Sequence, residues 1–140
     1  MTSVTRSQLA GGLLAVVLIA VIGTAIFLMG SPSVERTRRL DERRVEDLDV
    51  LARAVDLYWT RHGSLPSSVE QIQQEQGGRL MTSDPATNVP YEYRALDGQE
   101  FEVCAQFETE SGESALTPGR DFWTHRVGRQ CFRRAARKIG

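Results

Sequence analysis

The sequence lacks most of the features that mark an enzyme. It contains only two cysteines, two histidines and one lysine among its 140 residues. No close cysteine pair such as C-x2-C is present to begin a zinc site. There is also no G-x-S-x-G nucleophile turn and no glycine-rich phosphate loop. We therefore predict a non-catalytic protein with no cofactor and no metal site.

The chain also lacks an excess of charge of either sign. Its formal net charge is −1 at pH 7, so no overall field attracts nucleic acid or an acidic substrate. The charge is uneven, however, because residues 92–113 are acidic and residues 126–138 are basic. The aromatic residues fall at helical or alternating positions, which is typical of a core rather than of a base-stacking surface. We predict no nucleic-acid partner, and we interpret residues 133–140 as a frayed basic tail.

One stretch has no charge at all. Residues 9–29 are apolar apart from an occasional small or weakly polar residue, and they follow a short leader of residues 1–8. At about 1.5 Å per residue, such a helix covers the hydrocarbon core of a bilayer, roughly 30 Å thick. A cleaved signal peptide has a shorter apolar region and a small-x-small cleavage site. We predict a transmembrane helix, with the lipid bilayer as its partner. The spacing Gly11-x-x-x-Ala15 would also permit close contact between two such helices, so a homo-oligomer is compatible with the sequence.

A second helical pattern follows the break at residues 30–33. Its apolar residues recur every three or four positions, which places them on one face of a helix. They are Val45, Leu48, Ala52, Val55 and Trp59. We expect this helix to begin near Val34 and to end at His62-Gly63, where a histidine suits the helix dipole and a glycine can cap it. Residues 30–44 are charged on all sides, which predicts a solvated stalk before a domain of residues 45–132.

The second half of this domain has the alternation of β-strands. Apolar and polar residues alternate over residues 91–95 and again over 101–107, with a hairpin signal at Asp97-Gly98 between them. A third, interrupted strand is expected within residues 122–132. The fold class predicted from these patterns is α+β, with a helix packed on a small antiparallel sheet.

The location of the domain is left open by the residues themselves. Arginines are more numerous after the apolar run than before it, which favours a cytoplasmic domain under the positive-inside rule. Long C-terminal domains nevertheless translocate largely regardless of flanking charge. Cys104 and Cys131 would form a disulfide in an exported domain and would stay reduced in the cytosol. A thiol- or metal-dependent activity of Cys131 with His125 is a third and weaker hypothesis.

Several short segments, taken in order, resemble a known family. Residues 51–59 end a helix in aromatic residues, residues 62–66 read HGSLP, and Asp84-Pro85 is followed by NVPYEY at residues 88–93. These segments resemble the globular domain of the type II secretion major pseudopilin, a member of the type IV pilin and pseudopilin group. The resemblance covers roughly residues 45–107. It does not extend to a prepilin cleavage motif, because no acidic residue lies between Leu13 and Ile22.

The resemblance implies a pilin-like architecture, in which a transmembrane helix continues into an amphipathic helix packed on the sheet. It also implies a single-pass protein of the inner (cytoplasmic) membrane, with its domain on the periplasmic side and a Cys104–Cys131 disulfide. The expected function is a structural or interaction role in the bacterial cell envelope, accessory to type II secretion or a pilus-like system, with protein partners there. Residues 108–121 match the family's calcium loop only loosely, so we do not predict a calcium site. The alternative function is a cytoplasm-facing anchored binding module with free thiols.

Overall fold

The computed structural model describes residues 6–28, 32–112 and 121–140. Residues 1–5 of the predicted leader and Glu113 of the acidic loop lie outside these ranges. The chain forms two compact units, Met1–Arg36 and Thr37–Gly140, which we treat separately. The first unit contains the apolar helix, and the second contains an α+β domain.

Helix α1 covers Arg6–Leu28. It has no charged residue after Arg6, and its large apolar side chains between Leu13 and Phe27 are exposed. The hydroxyl of Thr24, the polar side chain within the apolar part of the helix, donates to the carbonyl of Ala20 at 2.7 Å. This polar group therefore has its hydrogen bond within the helix. By length and composition, the N-terminal helical region could span a membrane.

Helix α2 covers Pro32–His62 and supplies one side of the domain core. Its buried apolar residues include Leu48, Leu51 and Val55, each with no exposed surface. This stripe has the three- and four-residue spacing expected of a helix that buries one face. Gly63 then adopts a φ of 67° and its amide donates to the carbonyl of Trp59 at 2.8 Å, ending the helix as a glycine C-cap does.

Helix α3 covers Val69–Glu75 and begins with a serine cap. The amide of Gln71 donates to the hydroxyl of Ser68 at 3.4 Å. The side-chain oxygen of Gln71 in turn accepts from the amide of Ser67 at 2.7 Å. The first bond satisfies an amide that the first turn of a helix leaves free, and the second holds the residue before the cap against that turn. Ile72 is buried and carries the helix onto the core.

The sheet has three antiparallel strands in the order β1-β2-β3: β1 is Glu92–Ala95, β2 is Glu100–Phe107 and β3 is Gly128–Ala135. The hairpin predicted at Asp97-Gly98 joins β1 to β2, with Gly98 at a φ of 66°. The inner face of β2 consists of Phe101, Val103, Ala105 and Phe107, all buried against the helices. The predicted α+β class, with helices packed on a small antiparallel sheet, is confirmed.

The predicted stalk requires a correction. Asp41 and Arg44 are each only 1% exposed, and the compact unit begins at Thr37 rather than at residue 45. Most of the other side chains in residues 32–44 are exposed. Asp41 and Arg44 are buried in spite of their charge because Arg44 has carboxylate partners from three parts of the domain.

The predicted frayed tail also requires a correction. Strand β3 continues to Ala135, and Ala136 is buried at 3% exposure. The amide of Arg137 donates to a carboxylate oxygen of Asp56 at 2.9 Å, and the amide of Ile139 donates to the hydroxyl of Thr60 at 2.9 Å. These bonds attach residues 136–139 to the C-terminal half of α2.

Candidate functional site

The two cysteines lie opposite each other on neighbouring strands. Cys104 of β2 and Cys131 of β3 are register partners with Cα atoms 4.1 Å apart, and their sulfur atoms are at disulfide distance, 2.15 Å. Both lie on the sheet face that points away from α2, because the residues on either side of them point into the core. The linkage therefore joins β2 to β3 on the outer face of the sheet.

Ion pairs surround this disulfide on the same face. The guanidinium of Arg129 binds both carboxylate oxygens of Glu92, at 2.8 and 2.7 Å, and also lies 3.5 Å from the sulfur of Cys104. Arg133 contacts the carboxylate of Glu100 through its Nε at 3.0 Å. The hydrogen bond from Arg129 lowers the pKa of Glu92. Because all four ion-paired side chains are about half exposed, they compete with water and make only small contributions to stability.

A second set of ions is centred on Arg44, whose partners Asp41 and Asp84 are buried and whose partner Glu108 is half exposed. The guanidinium of Arg44 contacts Asp41 at 2.6 Å, Glu108 at 3.1 Å and both carboxylate oxygens of Asp84, the farther at 3.4 Å. Burial lowers the pKa of Arg44, but the hydrogen bonds that its guanidinium donates to these carboxylates outweigh that effect and raise it. The three carboxylates come from α2, from the loop after α3 and from the end of β2. Arg44 therefore connects three separate parts of the domain.

Asp41 shows how completely this cluster is satisfied. Its carboxylate accepts from the amide of Glu108 at 3.1 Å and from the amide and hydroxyl of Thr109, both at 2.6 Å. Burial by itself raises the pKa of Asp41. The hydrogen bonds from Thr109, Arg44 and the main chain outweigh that effect, so the net pKa is lowered and the carboxylate stays ionised. A carboxylate engaged in this way has no free oxygen to act as a base or as a metal ligand.

Asp84 has the same character. Its Oδ1 accepts from the amides of Ala86 and Thr87, each at 2.8 Å, which is the local bond that Asp makes in turns. Burial raises the pKa of Asp84, but the bond from Arg44 and these amides lower it below its usual value. The Asp84-Pro85 loop, one of the segments that resembles the pseudopilin domain, is thus held against α2 by an ion pair.

His125 is the buried titratable group without a complete set of partners. It is 7% exposed and its ring stacks on Phe107, with ring centroids 3.8 Å apart. Its main chain is held by Ser111, whose hydroxyl accepts from the His125 amide at 2.8 Å. Within the described part of the chain, its Nδ1 has no hydrogen-bond partner. Burial lowers the pKa of His125, which favours the neutral form of the ring.

A cavity of about 60 Å³ adjoins this ring. It is bordered by polar and charged residues together with Val45 and Trp123. Its volume is enough for a few water molecules at most. Arg38 approaches Gly112 at this cavity so closely that a Cβ on Gly112 would lie 2.5 Å from the guanidinium.

The hypothesis of a thiol or metal centre made from His125 and the cysteines does not fit this geometry. His125 packs against Phe107 on the inner side of the sheet, whereas both sulfur atoms lie on the outer side. Among the described residues, the group close enough to share a metal is Glu102, Cys104 and Cys131. Its two sulfur atoms are joined to each other, and disulfide sulfur lacks the thiolate that binds metal.

The sequence predicts that His62 interacts favourably with the dipole at the C-terminal end of α2. In the structure its side chain also contacts Glu75 and Tyr58. Its Nε2 lies 3.3 Å from both carboxylate oxygens of Glu75, and its ring stacks on Tyr58 at 4.2 Å. The ring is exposed at the surface. These contacts join the end of α2 to α3.

Neither the ionic cluster around Arg44 nor the docking of residues 136–139 on α2 is indicated by the sequence pattern. The signal for the cluster was weak: Asp41 and Arg44 have the i, i+3 spacing of a helical ion pair, but so do many solvated pairs. The partners of Arg44 in other segments, Asp84 and Glu108, are 40 and 64 residues away, and no local pattern connects them.

No protein-family model, no curated protein and no solved structure matches this chain.

Proposed function

We propose that the chain is a single-pass, membrane-anchored interaction protein of the bacterial cell envelope. Its domain would lie outside the cytoplasmic membrane and would have no catalytic role. In this proposal it resembles a pseudopilin and serves type II secretion or a pilus-like system. The observation that carries the proposal is helix α1, whose side chains Leu13, Ile19 and Phe27 are 69%, 70% and 85% exposed. Such a surface is unfavourable in water and suited to lipid.

The disulfide supports the location of the domain. Disulfides persist in oxidising compartments such as the periplasm and are rare in the cytosol. Cys104 and Cys131 are at disulfide distance in a domain with no other cysteine. A cytoplasmic domain would hold the same pair as free thiols.

The arrangement of the domain and the state of its polar groups support a non-catalytic role. An N-terminal helix region followed by a small antiparallel sheet is a pilin-like order of elements. The buried carboxylates Asp41 and Asp84 are occupied by Arg44 and by main-chain amides. They lack the free lone pair and raised pKa that a general acid or base near neutral pH needs.

The test uses the full-length chain with a C-terminal reporter pair, one part active only in the periplasm and the other only in the cytoplasm. We expect periplasmic activity, and we expect alkylation of the unfolded, unreduced protein to detect no free thiol. Cytoplasmic activity with two free thiols would overturn the proposal in favour of a cytoplasm-facing anchored module, which the arginines after the apolar run would favour.

A further inference from the structure

We propose that the open edge of β3, together with the groove beside it, is a docking site for an extended acidic segment of another protein. The segment would add a fourth strand to the sheet and would place an apolar side chain in the groove. This inference names the kind of partner for the proposed interaction function. Its test uses purified protein, however, so that its outcome does not depend on the side of the membrane where the domain lies.

The first observation is that β3 has a strand on only one side. It pairs with β2 in an uninterrupted register from Glu100↔Ala135 to Phe107↔Gly128, and within the described residues it is the last strand in the sheet. The strand contains no proline and its register shows no bulge. Prolines and bulges are two of the features by which natural proteins prevent pairing at an edge strand, and β3 has neither.

The spacing of the cysteines shows which groups point outward. The Cα atoms of Cys104 and Cys131 are 4.1 Å apart, which is typical of the closely spaced pairs that do not exchange hydrogen bonds. The N–H and C=O of Cys131 therefore point away from β2. Because the pattern repeats every second residue, the same holds for Arg129, Arg133 and Ala135. No hydrogen bond to the main chain of these residues is made from the other described parts of the chain.

A groove of about 520 Å³ begins at the C-terminal end of this edge. Its lining combines apolar and charged side chains: Asp49, Asp121, Phe122, Trp123, Arg134, Ala135 and Arg137. Phe122 is 44% exposed, although its ring contacts Phe132 and Trp123. An added strand directs alternate side chains to this inner side of the sheet, so one of its residues can cover Phe122.

The exposed positive charges beside β3 favour an acidic segment as the partner. Arg126 precedes the strand, and Arg137 and Lys138 follow it; all three are exposed, and no ion pair to them occurs from the described residues. A second copy of β3 paired antiparallel about Cys131 would place Arg129 opposite the Arg133 of the other chain. Like charges directly opposite each other destabilise a strand pair. An acidic strand would instead bring its carboxylates beside Arg126, Arg137 and Lys138, which attract them.

The experiment measures peptide binding by the full-length protein in detergent, using fluorescence anisotropy. The probe is a labelled decapeptide in which glutamate alternates with valine, with one central phenylalanine. The matched control has lysine in place of glutamate. We expect saturable binding of the acidic peptide, weakened by salt, and at least about tenfold weaker binding of the lysine peptide. Equal affinity for both peptides would overturn the proposal.

Two variants separate the edge from the charge. Ala135→Pro removes an outward N–H without changing charge, and prolines are tolerated at this kind of edge position. Ala135→Thr is its control because it keeps the N–H. We expect Ala135→Pro to bind about three- to tenfold more weakly than Ala135→Thr, the effect of about one net hydrogen bond. Equal binding by the two would overturn the strand-addition model.

If Ala135→Pro does not fold, the charge variant still decides. Arg137→Glu with Lys138→Glu alters exposed residues and should weaken the acidic peptide by at least about tenfold while improving binding of the lysine peptide. Unchanged affinities would overturn the proposal. Sedimentation of the unliganded protein gives a further outcome: dimers abolished by Ala135→Pro would assign the edge to a second copy instead. Failure of any of these tests leaves the reporter-fusion result unaffected, so the two proposals fail independently.

Discussion

The domain contains two groups of arginine–carboxylate ion pairs, one around a buried arginine and one on the exposed outer face of the sheet. Arg44 lies between α2 and the loops with its side chain 2% exposed. Arg129 and Arg133 lie on the outer face of the sheet with their side chains 50% and 60% exposed. Arg44 contacts carboxylates in three segments of the chain, whereas Arg129 and Arg133 each have one carboxylate partner among the residues that the structure describes.

The difference teaches what burial demands. A charge removed from water loses its hydration, so every donor and acceptor of the buried cluster must be matched within the protein. The carboxylate of Asp41 accordingly accepts from two amides, a hydroxyl and Arg44. The surface pairs need no such completeness because water replaces any missing partner. The buried cluster therefore determines how α2, the Asp84 loop and the end of β2 meet, while the surface pairs tolerate change.

The largest expected effect follows from breaking the buried cluster. Arg44→Met keeps a long apolar stem but leaves Asp41 and Asp84 buried without their counter-ion. We expect the free energy of unfolding to fall by about 3–5 kcal/mol, measured by urea unfolding with the fluorescence of Trp59 and Trp123. The matched control Arg129→Met should lose less than about 1 kcal/mol. Equal losses in the two variants would contradict the distinction between the two groups.

The covalent link on the outer face comes next. Replacing Cys104 and Cys131 with serine removes a crosslink between residues 27 positions apart. A loop of this size is expected to contribute about 3 kcal/mol, mainly by restricting the unfolded chain. We therefore expect a lower unfolding midpoint in the double variant than in the oxidised protein. Reductant should lower the midpoint of the unaltered protein and leave that of the double variant unchanged; an unchanged midpoint in the unaltered protein would remove the stabilising role of the disulfide.

These two cases also mark what the sequence could predict. The alternation over residues 101–107 predicted a strand with one buried face, and Phe101, Val103, Ala105 and Phe107 form that face, because side-chain direction in a strand follows from position alone. The apolar spacing of α2 and the hairpin at Asp97-Gly98 were likewise local signals, and both are confirmed.

The parts that could not be predicted depend on long-range contacts. Arg44 looks like any solvated arginine until Asp84 and Glu108 are brought beside it by the fold. The docking of residues 136–139 depends on Asp56 and Thr60, which lie about 80 residues earlier. The groove beside β3 requires the same assembly. Periodicity identifies which face of an element is buried, but it does not identify the polar partner that a buried charge will find.

A pH-dependent prediction concerns His125, which shares the domain interior with the buried cluster but has no ion pair with any carboxylate that the structure describes. Its pKa in the folded state is lowered by burial, with opposing contributions from Asp41 and from the main chain of Thr109 and Arg126. The unfolded state therefore binds more protons below the ordinary histidine pKa of about 6.5. Stability should be fully present above that pH and should decline as the pH falls towards the folded-state pKa.

The two histidines of the chain allow a clean test of this assignment. The slope of unfolding free energy against pH between 7 and 5 should be reduced by His125→Gln, which does not titrate. His62→Gln is the matched control, because it removes the same side chain from an exposed position beside Glu75. A slope in His125→Gln equal to that of the unaltered protein would contradict the assignment to His125. The carboxylates Asp41 and Asp84, with lowered pKa values, lose their contribution only at lower pH, below about 4.

The smallest expected effect is on the outer face itself. In a double-mutant cycle, Arg133→Ala and Glu100→Ala should show a coupling energy below about 1 kcal/mol, because both side chains are open to water. The coupling should shrink further at 1 M salt, where the Debye length is about 3 Å. The corresponding cycle on Arg44 and Asp84 should retain most of its coupling in the same salt, since the buried pair is screened far less. Equal responses of the two cycles to salt would mean that Arg44 is accessible to solvent ions. The two groups would then differ in the number and arrangement of their partners but not in their exposure to solvent.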